Sequence, residues 1–477
     1  MKTESKTSAK KSWSKALALP AAEFPLTKLS VKSGKIPLGF RGSLYRNGPA
    51  RLERGGVAVG HWFDGDGAIL AVHFTDGGAS AVYRYVQTAG YQAEEKADKF
   101  LYSNYGMTAP GPVWLRWTKT VKNAANTSVL ALPDRLLALW EGGPPHRLDL
   151  ETLETLGMDY LGSLDSNFVY SAHCKRDPIT GNIFNFGITN GATTKLNLYK
   201  SDFTGKVVQK STVTLDGIYA LHDYVFAGKY LIFFVPPVQV NFLPLLAGIS
   251  SYSESFKWKP ELGTQILVFD SETLSLVSRG ETEAWFQWHF ANGFVKEDGD
   301  VAVDFVRFAD FTTNQRLKEV ATGETHTDAE GTLCRVHLNP LTAKVTGIEE
   351  LLDKPCEFPI VPAAEVGQDS RYIYVAMYRP QVDIVAERYG AIARFDTQTR
   401  NLTIADCGEN RYPAEPIYVP DIFSEKGWIV TVVYDGNSDK SEVWIFDSDG
   451  LDRAPVCQLE LPSVIPLGFH GTWKNAV

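Results

Sequence analysis

The chain has 477 residues, 44% hydrophobic and 12% aromatic, with a formal net charge of −9. One hydrophobic core rarely serves more than roughly 250–300 residues, so the chain either divides into domains or repeats a small unit around an axis. The acidic balance excludes a nucleic-acid-binding face, which needs clustered basic residues, and leaves a small neutral substrate open.

In chain order, the first residues, MKTESKTSAKKSWSK, are polar and lack the apolar core of a signal peptide. Residues 1–20 are predicted to be a flexible tail and residues 21–477 a single catalytic domain. Basic residues beside Trp13 and Leu17 leave a membrane-surface role as the alternative for the tail. A two-strand unit then recurs: an apolar strand, a polar turn and a second alternating strand. It reads LAVHFTDGGASAVYRYV from Leu70, HRLDLETLETLGMDYL from His146, LNLYKSDFTGKVVQKS from Leu196 and ILVFDSETLSLVSRG from Ile266. It continues as CRVHLNPLTAKVTGIEEL from Cys334, AIARFDTQTRNLTIAD from Ala391 and VWIFDSDGLDRAPVCQLEL from Val443. Copies start roughly 50–75 residues apart, the sign of a radially repeated architecture. The predicted fold is therefore all-β, a seven-bladed β-propeller, with an array of β-sandwiches as the runner-up.

Tyr230–Ile249 carries no charge and has about the length of a membrane-spanning helix. Pro236, Pro237 and Pro244 interrupt it, however, and proline breaks helix interiors. The stretch is predicted to be a buried strand, YLIFFV, followed by an apolar surface loop, NFLPLLAGI. Phe242, Leu243, Leu245 and Leu246 of that loop would touch a bilayer or flank the mouth of an apolar tunnel, and no transmembrane helix is expected. The five scattered cysteines, Cys174, Cys334, Cys356, Cys407 and Cys457, form no CxxC pair. They point to a reducing, cytoplasmic setting without a disulfide framework or structural zinc.

A propeller's inner strands converge on an axis, so axial ligands would come from positions far apart in the chain. Four of the nine histidines, His173, His222, His289 and His470, follow apolar or small-residue stretches and are spread in this way. His73, His146, His326 and His337 lie in or beside the repeated hairpins or in polar loops. Three glutamates have apolar neighbours: Glu141 in LLALWEGGPP, Glu357 in KPCEFPIVP and Glu415 in RYPAEPIYVP. A buried carboxylate needs a partner. A metal-bound histidine needs one on its outer ring nitrogen.

The motifs GSLYRNGPA, HWFDGDG, NAANTSV, LLALWEGGPPHRL, SAHCKRDP, LHDYVF, WHFANGF, CEFPIV, AEPIYVP and GFHGTW span Leu38 to Trp473. Together they resemble the carotenoid cleavage oxygenases, and within that family most closely the cyanobacterial apocarotenoid oxygenases. The resemblance implies loops and short helices capping one propeller face over an axial iron(II), with O2 as cosubstrate. It implies metal ligands at His173, His222, His289 and His470. Glu141 would orient His222, Glu357 His289 and Glu415 His470, leaving His173 without a carboxylate. It places the methyl of Thr127 near the open coordination position, and makes Asp64 and Asp66 turn residues and not calcium ligands.

The implied reaction is cleavage of a conjugated C=C bond of an apocarotenal or apocarotenol into two carbonyl products, at the central 15,15′ bond to give retinal. An aromatic-lined tunnel would hold so long and apolar a substrate. Trp140 and Phe358 are expected beside the metal, with Trp288, Phe290 and Phe294 as further wall candidates. Stilbene-cleaving relatives usually carry lysine where this chain has Trp140, which disfavours a phenolic stilbene. Alternatives are the same chemistry on a stilbene or bicyclic carotenoid, or a retinoid isomerase using iron as a Lewis acid. A monomer in peripheral contact with a membrane is expected.

Overall fold

A computed structural model of the chain describes residues 10–476 apart from 117, 163, 166, 192 and 218; the side chains of 115, 242 and 246 also lie outside the description. Four hairpins turn by one local device. Asp149, Asp270, Asn339 and Asp396 each accept backbone N–H bonds two residues on, from Glu151, Glu272, Leu341 and Gln398 at 3.0–3.1 Å. The residue four positions on is left-handed in each: Leu153, Leu274, Ala343 and Arg400 have φ of 58°, 55°, 54° and 62°. A short side-chain acceptor closing its own turn lets the strand reverse without help from the rest of the protein.

All seven recurrent units are antiparallel pairs. Among the described residues they belong to six sheets of four or more strands. One of these has eight strands, and its two four-strand halves meet through a single parallel pairing, Ala227 with Gly293. Burial differs between inner and outer strands. Tyr230–Val235 is buried at every position, whereas Val207–Leu215, the edge strand of another sheet, alternates exposed positions with partly or fully buried ones. An outer strand covered on one face must alternate, and one covered on both faces need not. The chain ends are tied across sheets: Ser30–Gly34 pairs with Cys457–Glu460, and Gly471–Asn475 pairs with Gly42–Arg51.

Two expectations are corrected. The flexible tail does not extend to residue 20, because Ser12–Leu17 forms a 3-10 helix. Trp13 is fully buried, packs with Trp62, Tyr412 and Phe469, and donates its indole N–H to the Ala386 carbonyl at 3.0 Å. Residues 1–9 lie outside the described residues. The apolar stretch does begin with a fully buried strand, Tyr230–Val235, but Phe242–Leu246 is a short α-helix and not a loop. Pro244 is its third residue, where the missing N–H would have had no intrahelical partner anyway. No described helix is long and apolar enough to cross a membrane. The five cysteines are all unpaired.

Candidate metal centre and cavity

Four strands set the positions of four histidines. His173 lies just ahead of Lys175–Arg176, His222 ahead of Val225–Ala227, His289 directly before Phe290–Val295 and His470 directly before Gly471–Asn475. The structure brings the four together, with one ligand atom from each within 4.8 Å of the others. The Nε2 atoms of His173 and His222 are 3.0 Å apart, and those of His222 and His289 are 3.3 Å apart.

The outer nitrogens decide what those atoms are. Glu141 Oε1 meets His222 Nδ1, Glu357 Oε2 meets His289 Nδ1 at 2.5 Å, and Glu415 Oε1 meets His470 Nδ1 at 2.9 Å. Each Nδ1 therefore carries the proton and each facing Nε2 a lone pair. Lone pairs at such separations repel unless a cation sits among them. Burial holds His173 and His289 well below the usual histidine range, so both are neutral donors at physiological pH. At His222 burial has the same tendency, but the Glu141 carboxylate outweighs it and raises the ring. A set of imidazole nitrogens converging in this way fits a divalent transition-metal ion such as iron, zinc or copper.

Among the described residues His173 has no carboxylate at hydrogen-bond distance. Asp223 Oδ1 lies 3.8 Å from its Nδ1 and is committed elsewhere, to Lys175 Nζ at 2.8 Å and the Tyr224 amide at 2.8 Å. Asp223 Oδ2 accepts the Phe290 amide at 3.0 Å, which ties the His222 loop to the strand after His289. Sequence reading missed this buried residue, although it directly follows His222.

The carboxylates differ in support. Burial lifts the Glu357 carboxyl to about 8, and its Oε1 has no partner among the described residues. For Glu415 burial pulls upward too, but His470, Arg46 and the Gly471 amide together hold it below the usual range. Arg46 donates to the Glu415 and Phe469 carbonyls at 3.0 and 2.8 Å. Asn47 donates to Ala125 and Ser128 carbonyls at 3.0 and 2.9 Å. The GSLYRNGPA segment is thus the cradle of the His470 loop. In HWFDGDG, Asp64 accepts the His61 and Gly106 amides at 2.8 Å, whereas Asp66 is a buried ion-pair partner of Arg54 and Lys122 and not a turn residue.

Beside the histidines opens a cavity of about 560 Å³ whose wall includes His222, His289, His470, Glu141 and Glu357. Thr127, Trp140 and Phe358 all line it. The Thr127 hydroxyl bonds the Asn126 side chain at 3.2 Å. Phe358 stacks on His289 at 5.3 Å and has φ of 52°, a strained conformation of the kind that clusters at functional sites. Gly142 gives Trp140 its room, because a Cβ there would lie 2.5 Å from the indole. Trp288 joins the wall, its ring 4.9 Å from His222. Phe290 and Phe294 do not; Phe290 packs inside its sheet with Phe234 and Phe305, and Phe294 lies under Arg335. Tyr105, Tyr252 and Phe311 also line the cavity, and no sequence signal marked them. His73, His146, His326 and His337 stand apart from the cluster.

Of the proposed mouth residues, Leu245 lines the cavity and Leu243 is 78% exposed. Phe242 and Leu246 belong to the same helix, with side chains outside the described set. Arg116 of the short helix Val113–Arg116, which carries exposed Trp114, bonds the carbonyl of Gly248, in the segment that carries exposed Leu243 and Ile249.

The family profile described as Retinal pigment epithelial membrane protein matches residues 18–475. Apocarotenoid-15,15'-oxygenase of Synechocystis is 31% identical across 93% of this chain and 92% of its own length. Resveratrol cleavage oxygenase 1 of Aspergillus fumigatus is 26% identical across 93% of this chain and 91% of its own. Isoeugenol monooxygenase of Pseudomonas putida is 28% identical across 93% of both. Among solved structures, a glutamate-to-glutamine variant of Synechocystis apocarotenoid oxygenase matches with a TM-score of 0.89 at 30% identity over 98% of each chain. The cobalt-substituted form of that oxygenase matches with a TM-score of 0.88 at 29% identity over 98% of each chain. With its profile match running nearly end to end and its relatives named as oxygenases, this chain belongs to the carotenoid cleavage oxygenase family.

Proposed function

We propose that this protein is a non-heme iron(II) dioxygenase that cleaves a conjugated C=C bond of an apocarotenoid into two carbonyl products. The observation that carries the reading is the convergence of four imidazoles on one point beside an aromatic-walled cavity. His173, His222, His289 and His470 would hold the iron, and Glu141, Glu357 and Glu415 would fix three of the rings and offset the ion's charge. Bound iron(II) supplies the chemistry that protein groups lack, the activation of O2 toward an alkene.

The chain's own residues do the rest. Trp140, Trp288 and Phe358 hold the polyene flat beside the histidines and keep water out. Thr127 turns its hydroxyl to Asn126 and leaves its methyl for the open coordination side. Trp140, where a phenol-binding lysine would suit a stilbene, favours a hydrocarbon polyene. The named activity of the Synechocystis relative supports the 15,15′ bond, with retinal as one product. Splitting the eight-stranded sheet at its single parallel pairing leaves seven sheet units. With the ends of the chain tied into the first and last of them, this supports a seven-bladed propeller. Trp114, Leu243 and Ile249 form the patch that would dock on the membrane holding such substrates.

The test is a product assay. Iron-loaded protein is mixed with an apocarotenal in detergent, in air and under nitrogen, and the products are separated by chromatography. Retinal formed in air alone supports enzyme and bond. Other carbonyls formed in air alone move the bond. Turnover under nitrogen points to a retinoid isomerase instead.

A further inference from the structure

We propose that Arg388 anchors the oxygenated end of the substrate, donating from its guanidinium fork to a carboxylate or carbonyl oxygen at one terminus of the polyene. This rests on the cavity being the polyene site. Arg388 lines the cavity and is only 8% exposed. Its guanidinium lies over Trp62 at 5.3 Å and Tyr389 at 5.6 Å, both aromatic faces. Among the described residues no hydrogen bond or ion pair to it is found.

Its neighbours sharpen the contrast. Arg316 also lines the cavity, but its guanidinium is saturated by the carbonyls of Thr327, Val385, Ile384 and Glu387 and by the Tyr378 hydroxyl. The adjacent carboxylate, Glu387, is turned away to Lys11 at 3.0 Å and Tyr412 at 3.1 Å. This wall thus carries a nearly buried cation with no acceptor among the described residues. An arginine keeps its charge when buried. A buried, unpaired cation is costly, and removing its partner is what makes it so. A ligand with an acceptor at its terminus would supply that partner. A planar fork of donors suits a carboxylate best and a carbonyl next. Tyr389 connects this wall to the metal side, 6.4 Å from Phe358, which stacks on His289. One terminus held at Arg388 would fix which double bond lies beside the histidines.

The test is equilibrium binding of retinoic acid, retinal and retinol, one polyene with three termini, read by quenching of tryptophan fluorescence in metal-free protein. Wild type is expected to hold the acid, the aldehyde or both about tenfold more tightly than the alcohol, as a charge-assisted hydrogen bond allows. Arg388→Met is expected to erase the preference and leave the alcohol unchanged, and Arg388→Lys to restore part of it. Thermal unfolding separates anchor from scaffold: removing an unpaired cation raises or preserves Tm, whereas removing a structural arginine lowers it. Equal affinities in wild type, no binding of any of the three, or a preference that survives Arg388→Met would overturn the proposal. Discrimination in a protein that cleaves no polyene would sink the cleavage reading and leave the anchor. Cleavage without discrimination would do the reverse.

Discussion

Replacing Glu357 by Gln keeps an oxygen near His289 Nδ1 but removes the acid group that lies 2.5 Å from it and would be ionised beside a bound metal cation. The ring then loses basicity at its inner nitrogen, and metal affinity is expected to fall about 10–100-fold. Competition with a chelator reads this directly, and unchanged affinity would remove Glu357 from the metal's support. Asp223 gives a second prediction. It is buried and faces Lys175, whose side chain is 18% exposed. Asp223→Ala leaves that lysine and two backbone amides without their acceptor. With Lys175 still partly hydrated, a stability loss of about 2–4 kcal/mol is expected in denaturant titration. At this scale the sequence spoke where a residue type was out of place. Histidines after small-residue stretches and glutamates between Trp, Phe and Pro could be singled out without coordinates. Arg388 and Tyr105 could not, because nothing local tells a cavity-lining arginine or tyrosine from a surface or core one.

Hairpin turns carry a pH signature. Backbone N–H bonds from Thr152 and Thr273 chiefly hold the Asp149 and Asp270 carboxyls below their ordinary value. At Asp396 the bond from Arg371 does most of it. A carboxyl whose folded pKa is depressed contributes stability above its unfolded pKa, and that contribution is lost as pH falls through the folded value. Tm should therefore drop as pH falls below about 4, the unfolded aspartate value. A variant with Asn at all three positions keeps the turn acceptors and should drop less. Equal drops would put the acid sensitivity elsewhere. These outer hairpins were legible because alternation and the Asp or Asn turns are written in consecutive residues. Inner strands such as Leu136–Leu139 are buried at every position and resemble any apolar run, and Phe242–Leu246 is too short a helix to show a period.

Both ends of the chain are tied into the fold. Trp13 is fully buried against residues from three distant parts of the chain. Trp13→Ala should cost about 3–5 kcal/mol, measured by denaturant unfolding; a change below 1 kcal/mol would mean the N-terminal segment is not part of the core. Composition disguised this, since one tryptophan and one leucine in a polar stretch read as a tail. On the outside, Trp114→Asp combined with Leu243→Asp should weaken co-sedimentation with lipid vesicles and leave turnover of detergent-dispersed substrate intact. The central claim is that four histidines and O2 act together on a polyene. Its most direct test is oxygen uptake by iron-loaded protein on addition of an apocarotenal. One O2 consumed per polyene cleaved, and none with His289→Ala, is the result the account predicts. Cleavage without oxygen uptake, or uptake that survives loss of His289, would contradict it.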